Sequence, residues 1–127
     1  MGQNLQDIIK KLETYKASPF PILSTYLSLP NDEQLLRPHL YHRFKELLAE
    51  VVPEYEHRII EDDIDYIGAY LQQIENIKRN LGVVLFSGGN ILWEVIYLKN
   101  PLEDVVICDY SPYLSPLYEI ASISYHV

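Results

Sequence analysis

Leu5, Ile8, Ile9 and Leu12 are separated by three, one and three positions, which puts them on one side of a helix of about three turns. Ser18-Pro19-Phe20-Pro21 ends that helix and forces extended backbone. Ile22–Ser28 alternates and is rich in β-formers, so it is the first strand, and Leu29-Pro30-Asn31-Asp32 is a loop. Leu40, Phe44, Leu47, Leu48 and Val51 then make one apolar helical stripe. Pro38 fits most cheaply in the first turn of that helix, and Pro53 closes it. Ile60, Ile64, Ile67, Leu71 and Ile74 step by four, three, four and three, the clearest helical repeat in the chain. Glu61, Asp62, Asp63 and Asp65 fall on its polar side near the N-terminal end, where the helix dipole favours negative charge.

The pattern then changes period. Gly82-Val83-Val84-Leu85-Phe86 is an apolar run bounded by the turn cluster Ser87-Gly88-Gly89-Asn90. Ile91–Leu98 is the returning strand, Asn100-Pro101 breaks it, and Val105-Val106-Ile107-Cys108 is a third strand continuing a meander. Pro112 or Pro116 opens a last helix containing Leu117 and Ile120. The order is α-β-α-α-β-β-β-α, which predicts an α+β fold: a four-stranded mixed sheet with about four helices packed on it. At Tyr125-His126-Val127 a polar–apolar alternation begins, either a further strand or the start of a longer native chain.

Residues 1–127 fit a single domain with room for one core. Ten basic residues against eighteen acidic ones give a net charge of −8, which argues against a broad phosphate-binding surface and makes direct nucleic-acid binding doubtful. Cys108, the only cysteine, has no intrachain partner and reads as a small buried hydrophobe in a reducing compartment. No signal-peptide core and no apolar run of spanning length occurs, so the expected location is the cytoplasm, away from membranes.

Chemistry is sparse. His57, Glu61 and Asp65 share a helix face, but no further His or Cys stands at ligand spacing, so no metal is expected. Gly88-Gly89-Asn90 precedes a strand rather than a helix, so it is a hairpin turn and not a phosphate cradle. The four histidines have no adjacent nucleophile and acid. No catalytic residue set and no cofactor site is present, and the chain reads as a non-enzyme. Eleven tyrosines are the unusual feature. Tyr110, Tyr113 and Tyr118 cluster after the third strand and suit a protein contact, given the acidic charge, while Tyr66 and Tyr70 look like core margin.

Three segments carry a family resemblance. Pro21-Ile22-Leu23-Ser24-Thr25-Tyr26-Leu27, Leu81-Gly82-Val83-Val84-Leu85-Phe86 and Asp109-Tyr110-Ser111-Pro112-Tyr113-Leu114-Ser115-Pro116-Leu117 occur in that order, with two helices between the first and second. The chain thereby resembles the N-terminal domain of the archaeo-eukaryotic class-1 peptide-chain release factors, and more closely their bacterial and archaeal relatives of unassigned role. The resemblance runs from Leu5 to Ile120 and implies a non-catalytic, ribosome-associated binding domain in rescue, quality control or hibernation. The helix junction, with Tyr55, His57 and Arg58, would be the contact. Two hallmarks of the family are missing. The codon-reading Asn-Ile-Lys-Ser loop should stand at the helix junction, where this chain has Val52-Pro53-Glu54-Tyr55-Glu56-His57. Asn76-Ile77-Lys78 runs into Arg79 and is a chance match, and the Gly-Gly-Gln domain does not occur in these residues. A protein-interaction or self-association module, dimeric and using Tyr110 and Tyr113, is the alternative.

Overall fold

Two strands are apolar on both faces, and that decides the centre of the molecule. In the computed structural model, which describes residues 4–125 and their side chains except those of residues 54, 55 and 123–125, every residue of β2 (Gly82–Gly88) is buried. Six of the seven residues of β1 (Ile22–Ser28) are buried as well. Around them the described residues form α1 (Leu5–Glu13), α2 (Glu33–Val51), a 3-10 helix (Glu54–Ile60), α3 (Glu61–Leu71), β3 (Leu92–Leu98), β4 (Val105–Asp109) and α4 (Ser115–Tyr125). The α+β class and the element order are those the sequence predicts.

The sheet runs β3-β2-β1-β4, and all three pairings are antiparallel. The expected mixed sheet is thus corrected. One crossover helix would return the chain to the end where β1 began and give a parallel neighbour. Two successive helices leave it at the opposite end, so β2 runs against β1.

The expected meander is corrected too. β4 does not follow β3 but crosses the sheet to pair with the far side of β1, with Tyr26 opposite Val105 and Ile22 opposite Asp109. The buried backbone of β1 needs hydrogen-bond partners on both edges, and β4 supplies the second set. The crossing passes over Gly82, where a Cβ would lie 2.4 Å from Leu102 Cδ1. Its end is anchored at Asp104, whose Oδ1 accepts from the Ser28 backbone N–H at 2.7 Å and the Ser28 hydroxyl at 3.0 Å, and whose Oδ2 accepts from Arg43 Nε at 2.9 Å.

The β2–β3 hairpin turns through Gly89 and Asn90, both at positive φ (59° and 58°), and the Ile91 N–H donates back to the Gly88 carbonyl at 3.2 Å. Positive φ at two successive positions favours Gly and Asn, as the turn cluster indicates. A Cβ on Gly89 would also lie 2.6 Å from the Phe20 ring.

Alternation along the strands sends side chains to two cores. Leu23, Leu27, Val83, Leu85 and Val106 pack under α2 and α3. Ile22, Tyr26, Val84, Phe86 and Ile96 pack under α1 and α4. The repeat Ile60, Ile64, Ile67, Leu71, Ile74 is buried throughout, with its first member ending the 3-10 helix and its last lying beyond α3.

Two expectations about α2 change. It begins at Glu33, where the Asp32 side chain caps it by accepting from the Gln34 N–H at 2.9 Å, so Pro38 sits inside the helix. The extra turn buries Leu36 beside Leu40, an apolar gain that offsets the lost backbone bond. Val51 is exposed, because the extended backbone at Val52 turns that neighbouring side chain inward instead. In α4, Pro116 is the second residue, and Tyr125 is helical rather than the start of a strand. His126 and Val127 lie outside the described residues. Among the described residues no helix is long and apolar enough to cross a membrane.

Candidate functional site

The 3-10 helix between α2 and α3 exists because Pro53 breaks α2 and the Ile60 repeat then restarts a regular helix. Tyr55 belongs to this segment, and its side chain lies outside the described residues. His57 is half-buried, with Nε2 3.1 Å from the Val52 carbonyl. A carbonyl only accepts, so that nitrogen carries the proton and ties the ring to the end of α2. Arg58 is exposed and, among the described residues, forms no salt bridge. Ile59, beside it, is 71% exposed.

Tyr110 stands next to this junction. It borders a cleft of about 200 Å³ together with Val52, Glu56, Ile59 and Cys108, and its carbonyl accepts from the Ser18 N–H at 2.7 Å. Tyr113 is carried to the other side of the sheet. Its ring meets Tyr26 edge-on at 5.7 Å, its N–H donates to Ser24 Oγ at 3.0 Å, and its carbonyl accepts from the Tyr26 hydroxyl. The two tyrosines grouped by sequence are thus separated by the sheet: Tyr110 borders a cleft with Glu56 and Ile59 of the junction, and Tyr113 is a packing residue. Tyr118 is farther along α4, where its hydroxyl donates to Glu13 at 2.5 Å.

Cys108 is half-buried beside the same small cleft. Burial pushes its thiol pKa up, and the carboxylates of Asp63, Asp109 and Glu56 add to the effect. A thiol held protonated is a poor nucleophile. Among the described residues no group of three His, Cys, Asp or Glu side chains is placed to hold a metal ion.

Asp63 departs from the expected polar face. It is buried, and its Oδ1 accepts from Ser87 Oγ at 2.7 Å. Burial raises its pKa, with repulsion from Asp62 adding and the Ser87 hydroxyl opposing. The i, i+3 and i, i+4 acidic spacing conceals this, because α3 sits closely enough on β2 for its third residue to reach Ser87.

A second surface escapes the sequence reading altogether. Tyr66 and Tyr70 on α3 and Trp93 on β3 line an open cleft of about 460 Å³. Trp93 lies 6.4 Å from Tyr66 at 80° and 5.9 Å from Tyr70 at 64°. The Tyr66 hydroxyl donates to Asn90 Oδ1 at 3.2 Å, and the Tyr70 and Tyr97 hydroxyls share a short hydrogen bond. Trp93 is 41% exposed, Tyr66 49% and Ile91, at the cleft's end, 69%. Tyr66 and Tyr70 therefore form a surface, not only a core margin. The available signal was the tyrosine pair at i, i+4 with the lone tryptophan on a neighbouring strand, which has meaning only once α3 is known to lie beside β3. Rings and neutral polar groups of this kind bind by stacking and hydrogen bonding.

No family model matches the chain, and no curated protein matches it.

Proposed function

We propose that this chain is a non-catalytic, ribosome-associated binding domain of a release-factor-like protein, acting in rescue, quality control or hibernation. The observation that carries the reading is the helix junction. Two helices on one face of a four-stranded sheet are joined by an outward-facing segment, and that segment presents Arg58 and Ile59 to solvent. The resembling segments lie on β1, on β2 and from the end of β4 into α4. Without the Asn-Ile-Lys-Ser loop or a Gly-Gly-Gln segment, the domain binds but neither reads codons nor releases peptide. The net charge of −8 keeps any contact with RNA local. Replacing His57 and Arg58 together by Ala should weaken co-sedimentation with ribosomes. Sedimentation equal to that of the unaltered chain would refute the placement.

A second reading, a protein-interaction or self-association module, is favoured by the exposed Trp93 and Tyr66 beside edge strand β3. It calls for a protein complex or a dimer whose formation needs no nucleic acid, and a salt-sensitive RNA complex would count against it.

A further inference from the structure

Aromatic ring faces and the C-terminal end of α3 border the cleft. The face of a tyrosine or tryptophan ring carries partial negative charge and attracts a cation held within about 6 Å. Among the described residues the side chains that line the cleft include no Lys, Arg or His, and the amides of Gln73 and Asn90 each bring an oxygen that can accept a hydrogen bond. Along α3, Asp62 stands four residues before Tyr66, and Asp65 four before Ala69, which also lines the cleft. Both carboxylates are exposed; Asp62 stands one turn before the Tyr66 ring and Asp65 one turn before Ala69. The last turn of α3, next to Tyr70 and Gln73, holds no basic residue, which leaves the negative end of its dipole uncompensated.

The cleft also lies along an open edge. Among the described residues β3 pairs only with β2. An extended segment laid beside β3 would find backbone partners there, and would bring one side of its own alternating side chains to the rings.

We propose that this cleft binds the cationic side chain of an arginine or lysine within an extended, basic segment of a partner protein. The proposal rests on the protein-interaction reading above and does not require the ribosomal one. It gives the chain's net charge of −8 a use, since a basic partner would be drawn toward this surface before any contact forms.

The test uses Trp93 as reporter, because it is the chain's only tryptophan. Its fluorescence is followed while a short arginine-rich peptide is added, then the same peptide with citrulline in place of each arginine, then tetramethylammonium chloride. The arginine peptide should give a saturable change, and the uncharged citrulline peptide should bind about tenfold more weakly or less. Tyr66→Leu and Tyr70→Leu keep the reporter, and each should weaken arginine-peptide binding by roughly twofold to thirtyfold. Asp62→Asn with Asp65→Asn changes only exposed positions, so it keeps the fold and should lower affinity a few-fold, an effect that fades as salt is raised. Equal binding of the citrulline peptide would overturn the cation assignment and leave the protein-interaction reading standing. Tetramethylammonium binding as tightly as the peptide would overturn the choice of a polypeptide. A Trp93 signal that changes with protein concentration alone, together with a dimer in sedimentation, would make this face a self-association interface and overturn the proposal. No response to either peptide in a monomeric protein would overturn the proposal, while the protein-interaction reading beneath it would fall only to a salt-sensitive RNA complex.

Discussion

Ser87 on β2 donates its hydroxyl to the carboxylate of Asp63 on α3 at 2.7 Å, and both side chains are buried. This bond fixes α3 against the hairpin and so sets the spacing of the Tyr66–Trp93 cleft. Ser87→Ala would leave a buried carboxylate without its partner and should destabilise the fold by about 1–2 kcal/mol in urea unfolding at neutral pH. Burial raises the Asp63 pKa in the folded state, so its ionised form is the less favourable one there. Stability linked to this group is therefore complete below the ordinary Asp range and is lost as pH rises through the folded value. Asp63→Asn, which keeps the acceptor oxygen, should be more stable than the unaltered protein at pH 7, and the difference should vanish near pH 3. A constant difference between those pH values would show that ionisation of Asp63 plays no part.

Asp104 has the opposite sign. Burial alone would raise its pKa, but hydrogen bonds from the Ser28 backbone, Arg43 and the Ser28 hydroxyl outweigh that and hold it below the usual carboxylate range. Its stabilisation is present above the ordinary value and is lost as pH falls through the folded one. Asp104→Asn should cost about 1–2 kcal/mol at pH 7, by loosening the end of the β3–β4 crossing. That cost should shrink as pH drops below about 4, and urea titrations at pH 7 and pH 3 would reveal it.

Pro38 lies within α2, where no N–H is available for the Gln34 carbonyl. Proline in a helix interior costs about 3 kcal/mol relative to alanine, less near the N-terminus. Pro38→Ala should therefore raise the midpoint of thermal unfolding, with a gain of about 1–3 kcal/mol. An unchanged or lower midpoint would mean that the proline ring packs well enough to offset the missing bond.

Thr25 sits at the centre of β1 with no exposed surface, and among the described residues its hydroxyl has no hydrogen-bond partner. A buried unpaired hydroxyl costs about 1–3 kcal/mol. Thr25→Val keeps the branched shape and should stabilise the protein by about 1 kcal/mol in chemical denaturation. A loss of stability would show that the hydroxyl is satisfied in solution.

Legibility followed range along the chain. The bounds of β1 and the burial of Ile60, Ile64, Ile67, Leu71 and Ile74 are written in local spacing, because a side chain's direction repeats every 2 residues in a strand and every 3.6 in a helix. The positive φ of Gly89 and Asn90 is equally local. Of the candidate site residues, His57 and Arg58 do fall at the helix junction, and Tyr110 borders a cleft with their neighbours Glu56 and Ile59, but Tyr113 does not. Three positions separate Tyr110 from Tyr113, and nothing in that spacing tells that the chain passes from one face of the sheet to the other between them.

By itself, then, the sequence determined the α+β class, the order of elements, the apolar run of β2 and the hairpin turn, each the product of neighbours a few residues apart. Tertiary structure alone decided that β4 crosses to β1, that every strand pair is antiparallel, that Asp63 turns inward to Ser87 and that Trp93 comes to rest between Tyr66 and Tyr70. Those outcomes rest on contacts between residues far apart in sequence. They are settled by which arrangement buries the most apolar surface while pairing every buried backbone group, a sum over the whole fold that no single segment carries.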